Sequence, residues 1–144
     1  MIFVFRKQLF FFAILLATNP GASVEAKSAN VAIDGYDPVA YFTQQKATKG
    51  IDKFTYQWNG DTWYFSSSDH RKLFAENPEK YTPQFNGLCA NGLSDGHAVE
   101  ANPENWRIID GKLYLFFSTY GRNQWSGEVK SLIQSAKETL GEHQ

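Results

Sequence analysis

The sequence is poor in sulfur, because its 144 residues include one cysteine, Cys89, and one methionine, the initiator. A single cysteine cannot form a disulfide within the chain, so the fold must be stable without one. The Met-rich style of copper binding is missing for the same reason. The Cys89 thiol must therefore be buried and inert, joined to another molecule, or used as a metal ligand.

The chain also lacks an excess of charge, with a formal net charge of −1 at pH 7. That charge balance lacks the excess of basic residues that is typical of proteins that bind nucleic acid or an anionic membrane surface. No phosphate-binding loop and no Cys-x-x-Cys or His-x-His pair is present, and no complete catalytic constellation can be read. Four aspartates are interpreted as turn and cap residues: Asp34, Asp37, Asp52 and Asp61.

The most marked apolar run stands at the N-terminus. Arg6 and Lys7 precede it, and small residues follow it as far as Ala26. A cationic start, an apolar stretch of about 7–15 residues and a small-residue cleavage site describe a secretory signal peptide. Pro20 interrupts the run before it reaches the ~20 apolar residues that a membrane-spanning helix needs. The pattern predicts cleavage after Ala26, with Ala22 as the alternative site.

Removal of residues 1–26 would leave residues 27–144, about the size of one ordinary domain. We expect this mature chain in the periplasm or outside the cell, without a stable membrane anchor. Its aromatic content, 16% of the whole sequence, is high enough to build a dense core.

Local patterns in the first half predict a helix, a hairpin and a second helix. Asp37 followed by Pro38 is typical of a helix N-cap with proline at the first helical position. Asn59-Gly60, between two segments rich in aromatic residues, is a strong hairpin-turn signal. The predicted elements are a helix over 38–44, strands over 54–58 and 63–65, and a helix that Ser67 or Ser68 caps and Asn77-Pro78 ends.

The second half shows similar signals but no detectable sequence repeat. Residues 84–102 carry three glycines and no clear period, which predicts a loop with a short helical turn around Cys89. Asp110-Gly111 predicts a second hairpin, and apolar spacing from Trp125 onward predicts a C-terminal helix that ends near Gly141. Two hairpins and several helices in no alternating order favour an α+β fold, a small antiparallel sheet of hairpins packed against helices.

Four motifs together resemble the YHS domain family. Residues 35–42 read GYDPVAYF, Tyr64-Phe65 end the first hairpin, and residues 77–81 read NPEKY. With the Gly87-to-Ala90 stretch, the pattern is similar to an exported, mostly bacterial branch of that family. The resemblance implies a YHS-like fold for residues 27–144 and a binding function.

The chain departs from the metal-binding members of that family at three positions. Those members carry cysteine where this sequence has Ala40, Ser66 and His70. Of the three, His70 alone can still coordinate a metal ion. A thiolate-rich structural zinc site, which needs four Cys or His ligands, is therefore not expected at this place.

Other residues supply the candidate sites. Cys89, His70 and His97 form a possible ligand set for copper or zinc, because a thiolate and two imidazoles suit the softness of these metals. Cys89, Tyr36 and Asp37 are the candidates for holding a small ligand. The sequence thus predicts an exported YHS-type binding protein that uses Cys89 and nearby groups.

Two other functions stay open. A thiol-dependent enzyme would need Cys89 activated by His97 or His70. An interaction module without metal would bind a protein partner through aromatic residues, which could equally fill the core. The aromatic residues in question are Tyr36, Tyr41, Phe42, Trp58, Trp63, Tyr64 and Phe85.

Overall fold

The computed structural model describes residues 30–141, so the predicted signal peptide lies outside the described residues, as does His143. Within that range, none of the helices is both long enough and apolar enough to cross a bilayer. The elements in order are β1 (Asn30–Val31), α1 (Ala40–Thr43), β2 (Ile51–Trp58), β3 (Asp61–Phe65), α2 (Ser68–Glu76), α3 (Pro78–Tyr81), α4 (Ala90–Ser94), β4 (Asn102–Ile109), β5 (Lys112–Phe116), α5 (Thr119–Gln124) and α6 (Val129–Leu140).

The first hairpin forms where its turn signal predicted it. Strands β2 and β3 pair antiparallel, with Tyr56 opposite Trp63. Asn59 and Gly60 both have positive φ, 51° and 85°, as a two-residue hairpin turn of the primed type requires. The short strand β1 adds to the other edge of β3 in parallel, which makes a three-stranded sheet.

The signals for the helix after this hairpin are also confirmed, whereas the predicted start of the helix before it, at Pro38, is wrong, because α1 begins at Ala40. Asp37 accepts hydrogen bonds from the N–H groups at the start of α1, although α1 is shorter than predicted. Ser67, rather than Ser68, caps α2 by accepting a hydrogen bond from His70 N–H at 3.2 Å. Asn77 ends α2 and caps α3 through its side chain.

The second hairpin, β4 and β5, forms a separate two-stranded sheet around the predicted Asp110-Gly111 turn. The predicted C-terminal helix is wrong at its start, because Trp125 lies after α5 and before α6. Trp125 is nevertheless fully buried, and it packs its ring against Tyr114 and Phe116. The end at Gly141, in the left-handed conformation, is as predicted.

The structure contains an internal repeat that the sequence did not reveal. Residues 33–35 form a left-handed turn with φ of 40°, 52° and 73°, and residues 85–87 form a second one with φ of 56°, 55° and 77°. A short helix, a bulged hairpin with a two-residue turn, and a helix capped by serine follow each turn. The chain is therefore built from two halves of the same element order.

Backbone hydrogen bonds match between the halves. Asp37 N–H donates to Thr48 O at 2.8 Å, and Cys89 N–H donates to Val99 O at 2.9 Å. Few side chains are shared at matched positions, which is why sequence patterns did not disclose the repeat. The identical pairs include Gly35 and Gly87, Gly60 and Gly111, Phe65 and Phe116, Ser67 and Ser118, and Arg71 and Arg122.

The two halves share part of their core. Tyr41, from α1, is fully buried in one cluster with Leu113 and Leu115 of β5. Its ring also meets that of Trp106 edge-on, with centroids 5.2 Å apart. The α+β class, with small sheets packed against helices, is thus confirmed, with β1 as a parallel addition to the antiparallel first hairpin.

Candidate functional site

Asp37 is a fully buried carboxylate at the start of α1. Its Oδ1 accepts hydrogen bonds from Val39 N–H at 2.9 Å and from Ala40 N–H at 3.3 Å. Its Oδ2 accepts from Ser66 N–H at 2.8 Å and from the Ser66 hydroxyl at 2.6 Å. A buried carboxylate must be satisfied in this way, because an unpaired buried charge is strongly unfavourable.

His70 completes this group. Its Nδ1 lies 2.6 Å from Asp37 Oδ2, and its side chain is 12% exposed. The other ring nitrogen, Nε2, lies 3.1 Å from the hydroxyl of Thr43, which also contacts the carbonyl of Val39. We call Asp37, Thr43, Ser66 and His70 the Asp37 centre. It connects α1, the end of β3 and α2.

The Asp37 centre contains two of the three positions at which the resemblance places metal ligands, Ser66 and His70, and the third, Ala40, donates its backbone N–H to Asp37. Ala40 offers no ligand atom, and the Ser66 hydroxyl and the His70 Nδ1 are both engaged by the Asp37 carboxylate. Over residues 30–141, no three His, Cys, Asp or Glu side chains form a group that could hold a metal ion. The residues present therefore do not fit a closed zinc or copper site. The Asp37 carboxylate, rather than a metal ion, joins α1, the end of β3 and α2.

Cys89 has the matching role in the second half. Its side chain is 3% exposed, and its sulfur accepts hydrogen bonds from Gly92 N–H at 3.3 Å and Phe117 N–H at 3.1 Å. These donors correspond in the repeat to the Ala40 and Ser66 N–H groups that Asp37 binds. The thiol is thus a buried acceptor that joins the loop before α4 to the end of β5.

The structure does not bring the predicted site residues together. His70 lies in the Asp37 centre, Cys89 lies in the core of the second half, and His97 is an exposed residue whose N–H bonds to Gly92 O. No imidazole is hydrogen-bonded to the Cys89 sulfur among residues 30–141. That arrangement supports neither a Cys–His metal set nor a Cys–His nucleophile.

Tyr36 is also separate from Cys89. Its hydroxyl donates to Glu104 Oε1 at 3.0 Å, and the ammonium of Lys49 lies 4.1 Å from the centre of its ring. Desolvation by burial, and then the Glu104 carboxylate, raise the pKa of Tyr36 above its ordinary value. Of the predicted small-ligand residues, Asp37 alone belongs to the polar centre described above.

A cleft beside the first hairpin offers enclosed space. Its volume is about 350 Å³, within the range of ~300–1,000 Å³ typical of small-molecule sites. Three segments form its walls: residues 30–33, the β2–β3 turn with its flanking residues, and residues 82–86. We call it the Trp58 cleft. Its lining residues are Asn30, Val31, Ala32, Ile33, Trp58, Asn59, Asp61, Trp63, Thr82, Pro83 and Asn86.

The walls of the Trp58 cleft are held in place by short-range structure. Trp63 is almost fully buried, and its Nε1 donates to Trp58 O at 3.2 Å. Ile33 has φ of 40°, a costly conformation for a β-branched residue that persists only where its surroundings enforce it. A Cβ at Gly87 would lie 3.4 Å from Ile33 Cγ2, so the two left-handed turns pack closely.

Two hollows of larger volume are less enclosed. One, of about 540 Å³, lies between the β4–β5 turn and the beginning of α6, and the other, of about 550 Å³, lies between β2 and α2. Each has two walls rather than three. A small ligand would stay largely exposed there, whereas most of its surface is buried in an ordinary binding site.

The predicted aromatic surface is largely interior. Tyr41, Trp63 and Phe85 are buried, and the other aromatic residues of that prediction are half-buried. Within residues 30–141, the strongly exposed aromatic side chains are instead Phe117 and Tyr120, 67% and 74% exposed, neither of which belongs to the predicted surface. Phe117 directly follows β5 and Tyr120 lies in the first turn of α5, so the alternation of the strand gives no sign that either ring faces solvent.

Comparison with known proteins identifies no relative. No protein-family model, no curated protein and no solved structure matches the chain. The function must therefore be inferred from the chain's own geometry, together with the motif resemblance.

Proposed function

We propose that the mature chain is an exported binding protein of the YHS type, which holds a small ligand in the Trp58 cleft. The enclosure of this cleft by three segments of the first and second halves carries the proposal. Two tryptophans and three asparagines border it, so the cleft offers both the apolar surface and the polar groups that small-molecule sites combine.

The polar centres support a binding protein rather than an enzyme. The oxygens of Asp37 and the sulfur of Cys89 are occupied by hydrogen bonds from their own chain. Neither residue lines any of the three cavities described above or two smaller ones, of about 190 and 280 Å³, among residues 30–141. Both groups are therefore assigned to holding the fold together, and the cleft to the ligand.

Thermal unfolding in the presence of a small-molecule extract tests the proposal. A ligand that binds the folded chain raises its stability according to concentration and affinity. The extract, taken from the compartment to which the protein is exported, should raise the Tm of the wild type. Trp58→Ala should abolish that increase, and Tyr120→Ala, which removes an exposed ring outside the cleft, should preserve it. An equal increase for wild type and Trp58→Ala would contradict the proposal.

A further inference from the structure

The chemical class of the ligand follows from the lining of the cleft, if the proposed binding function holds. We infer that the Trp58 cleft takes a neutral, hydroxyl-rich ligand of the saccharide type, about the size of a monosaccharide. The amides, the hydroxyl and the indoles of the lining carry this inference, each through a different property.

The polar lining is rich in amides and poor in charge. Asn30, Asn59 and Asn86 border the cleft, together with the hydroxyl-bearing Thr82 and one carboxylate, Asp61. Each amide side chain offers both hydrogen-bond donors and acceptors. A ligand hydroxyl also donates and accepts hydrogen bonds, so a sugar ring with several hydroxyls can form hydrogen bonds with several of these lining residues at once.

Charged ligands fit the lining less well. Among residues 30–141, no Lys, Arg or His borders the cleft, so a bound anion would lie next to Asp61 without a compensating cation from this part of the chain. A cation would meet one carboxylate and three amides, of which the amides contribute no charge. A neutral ligand needs no compensating charge of either sign from the lining.

The indoles supply the apolar part of the site. Trp58 and Trp63 border the cleft, with ring centroids 6.2 Å apart and planes at 63°. An indole face is apolar and carries partial negative charge, which suits the weakly positive C–H groups on the face of a sugar ring. Trp58 is the half-buried member of the pair, so its ring is the one with surface left for a ligand.

The backbone conformation is set at two of these asparagines before any ligand binds. Asn59 lies in the tight β2–β3 turn at φ of 51°, and Asn86 lies in the second left-handed turn at φ of 55°. The Cα–Cβ bonds of both residues therefore keep their directions, and the backbone loses little conformational freedom when a small ligand binds, which favours affinity.

The experiment is a two-dimensional ¹H–¹⁵N NMR titration of the mature chain with separate probes. The saccharide arm uses glucose, galactose and N-acetylglucosamine, the cation arm uses choline, and the anion arm uses sulfate. At least one saccharide should shift the Trp58 indole signal and the amide signals of Asn59 and Asn86. Choline and sulfate should leave them unchanged.

The repeat supplies a matched control for the amides. Asn59→Gly removes one amide and keeps the turn, because glycine accepts positive φ, and it should weaken saccharide binding about tenfold. Asp110→Gly makes the same change in the matching turn of the second hairpin and should leave binding unchanged.

Two results would overturn the inference. One is that choline shifts the signals of the cleft residues and that Asp61→Asn abolishes these shifts. The ligand would then be a cation, and the proposed binding function would still hold. No shift at the cleft with any saccharide would also overturn it. The thermal experiment with the extract then decides separately whether the cleft binds another class of ligand.

Discussion

Asp37 and Cys89 occupy matching places in the two halves and perform the same task with different atoms. Each accepts an N–H from the helix that follows it and another from the end of its own hairpin. Asp37 accepts three further hydrogen bonds, from Val39, the Ser66 hydroxyl and His70. The Asp37 carboxylate thus accepts more hydrogen bonds than the Cys89 sulfur and makes the larger number of connections between segments.

Replacement of Asp37 should therefore be costly. Asp37→Ala leaves the His70 ring and several buried donors without a partner, and it should lower the free energy of unfolding by about 3–5 kcal/mol. Urea unfolding measures this directly. Asp52→Ala, on an exposed position of β2, should change it by no more than about 0.5 kcal/mol. An equal effect of the two substitutions would refute the structural role assigned to Asp37.

Cys89 should behave as a structural residue and not as a metal ligand. Cys89→Ala removes the acceptor for two N–H groups and should cost about 1–3 kcal/mol of unfolding free energy. Titration with Cu(I), Cu(II) and Zn(II) should give the same binding curves for the variant and the wild type. A loss of metal binding in the variant, with the fold intact, would restore the prediction that Cys89 is a ligand.

Tyr41 should make the protein sensitive to alkali. Burial raises the pKa of Tyr41 well above its ordinary value of 10.0, and its hydroxyl donates to Pro103 O at 2.9 Å. Above pH 10 the unfolded chain loses this proton and the folded chain keeps it, so stability that is full below pH 10 falls as pH rises. The slope should be about 1.4 kcal/mol per pH unit for this residue.

Unfolding at a series of pH values checks the effect of Tyr41. Tyr41→Phe should reduce the slope above pH 10, whereas Tyr120→Phe, at an exposed position, should leave it unchanged. Some slope should persist in Tyr41→Phe, because burial also raises the pKa of Tyr36 and of Tyr114. A slope unaffected by Tyr41→Phe would contradict the assignment.

At the scale of elements, the two halves should respond alike to the loss of a helix cap. Ser67 caps α2 and Ser118 caps α5, each by accepting an N–H three residues later, at 3.2 and 3.3 Å. Ser67→Ala and Ser118→Ala should each lower unfolding free energy by about 1 kcal/mol. Chemical denaturation of both, beside the exposed control Ser68→Ala, measures the effect. A cost for one cap and none for the other would argue against equivalent halves.

The elements that could be predicted from sequence are those with local signals. Asn59-Gly60 and Asp110-Gly111 place the two hairpin turns, although β2 begins three residues earlier than predicted. Ser67 and Asn77 mark helix ends by their own side chains. The C-terminal helix was extended too far because Trp125 continues its apolar spacing. Burial of Trp125 against Tyr114 and Phe116, rather than a continuous helix, explains that spacing.

At the scale of the whole molecule, features built from distant segments escaped prediction. The Trp58 cleft joins residues 30–33, 58–63 and 82–86, and no motif spans all three. The repeat likewise depends on backbone conformation, such as the left-handed turn at Phe85, which side-chain identity does not favour. The sequence pointed to Asp37 and His70 separately as candidate site residues, but it did not predict that their side chains contact each other.

The central claim is that ligand binding belongs to the Trp58 cleft and that Asp37 and Cys89 maintain the fold. The most direct test is an NMR titration of wild type, Trp58→Ala, His70→Ala and Cys89→Ala with the same small-molecule extract. The account predicts that wild type, His70→Ala and Cys89→Ala show shifts centred on Asn59 and Asn86, and that Trp58→Ala loses them. Shifts that persist in Trp58→Ala and vanish in His70→Ala or Cys89→Ala would contradict it.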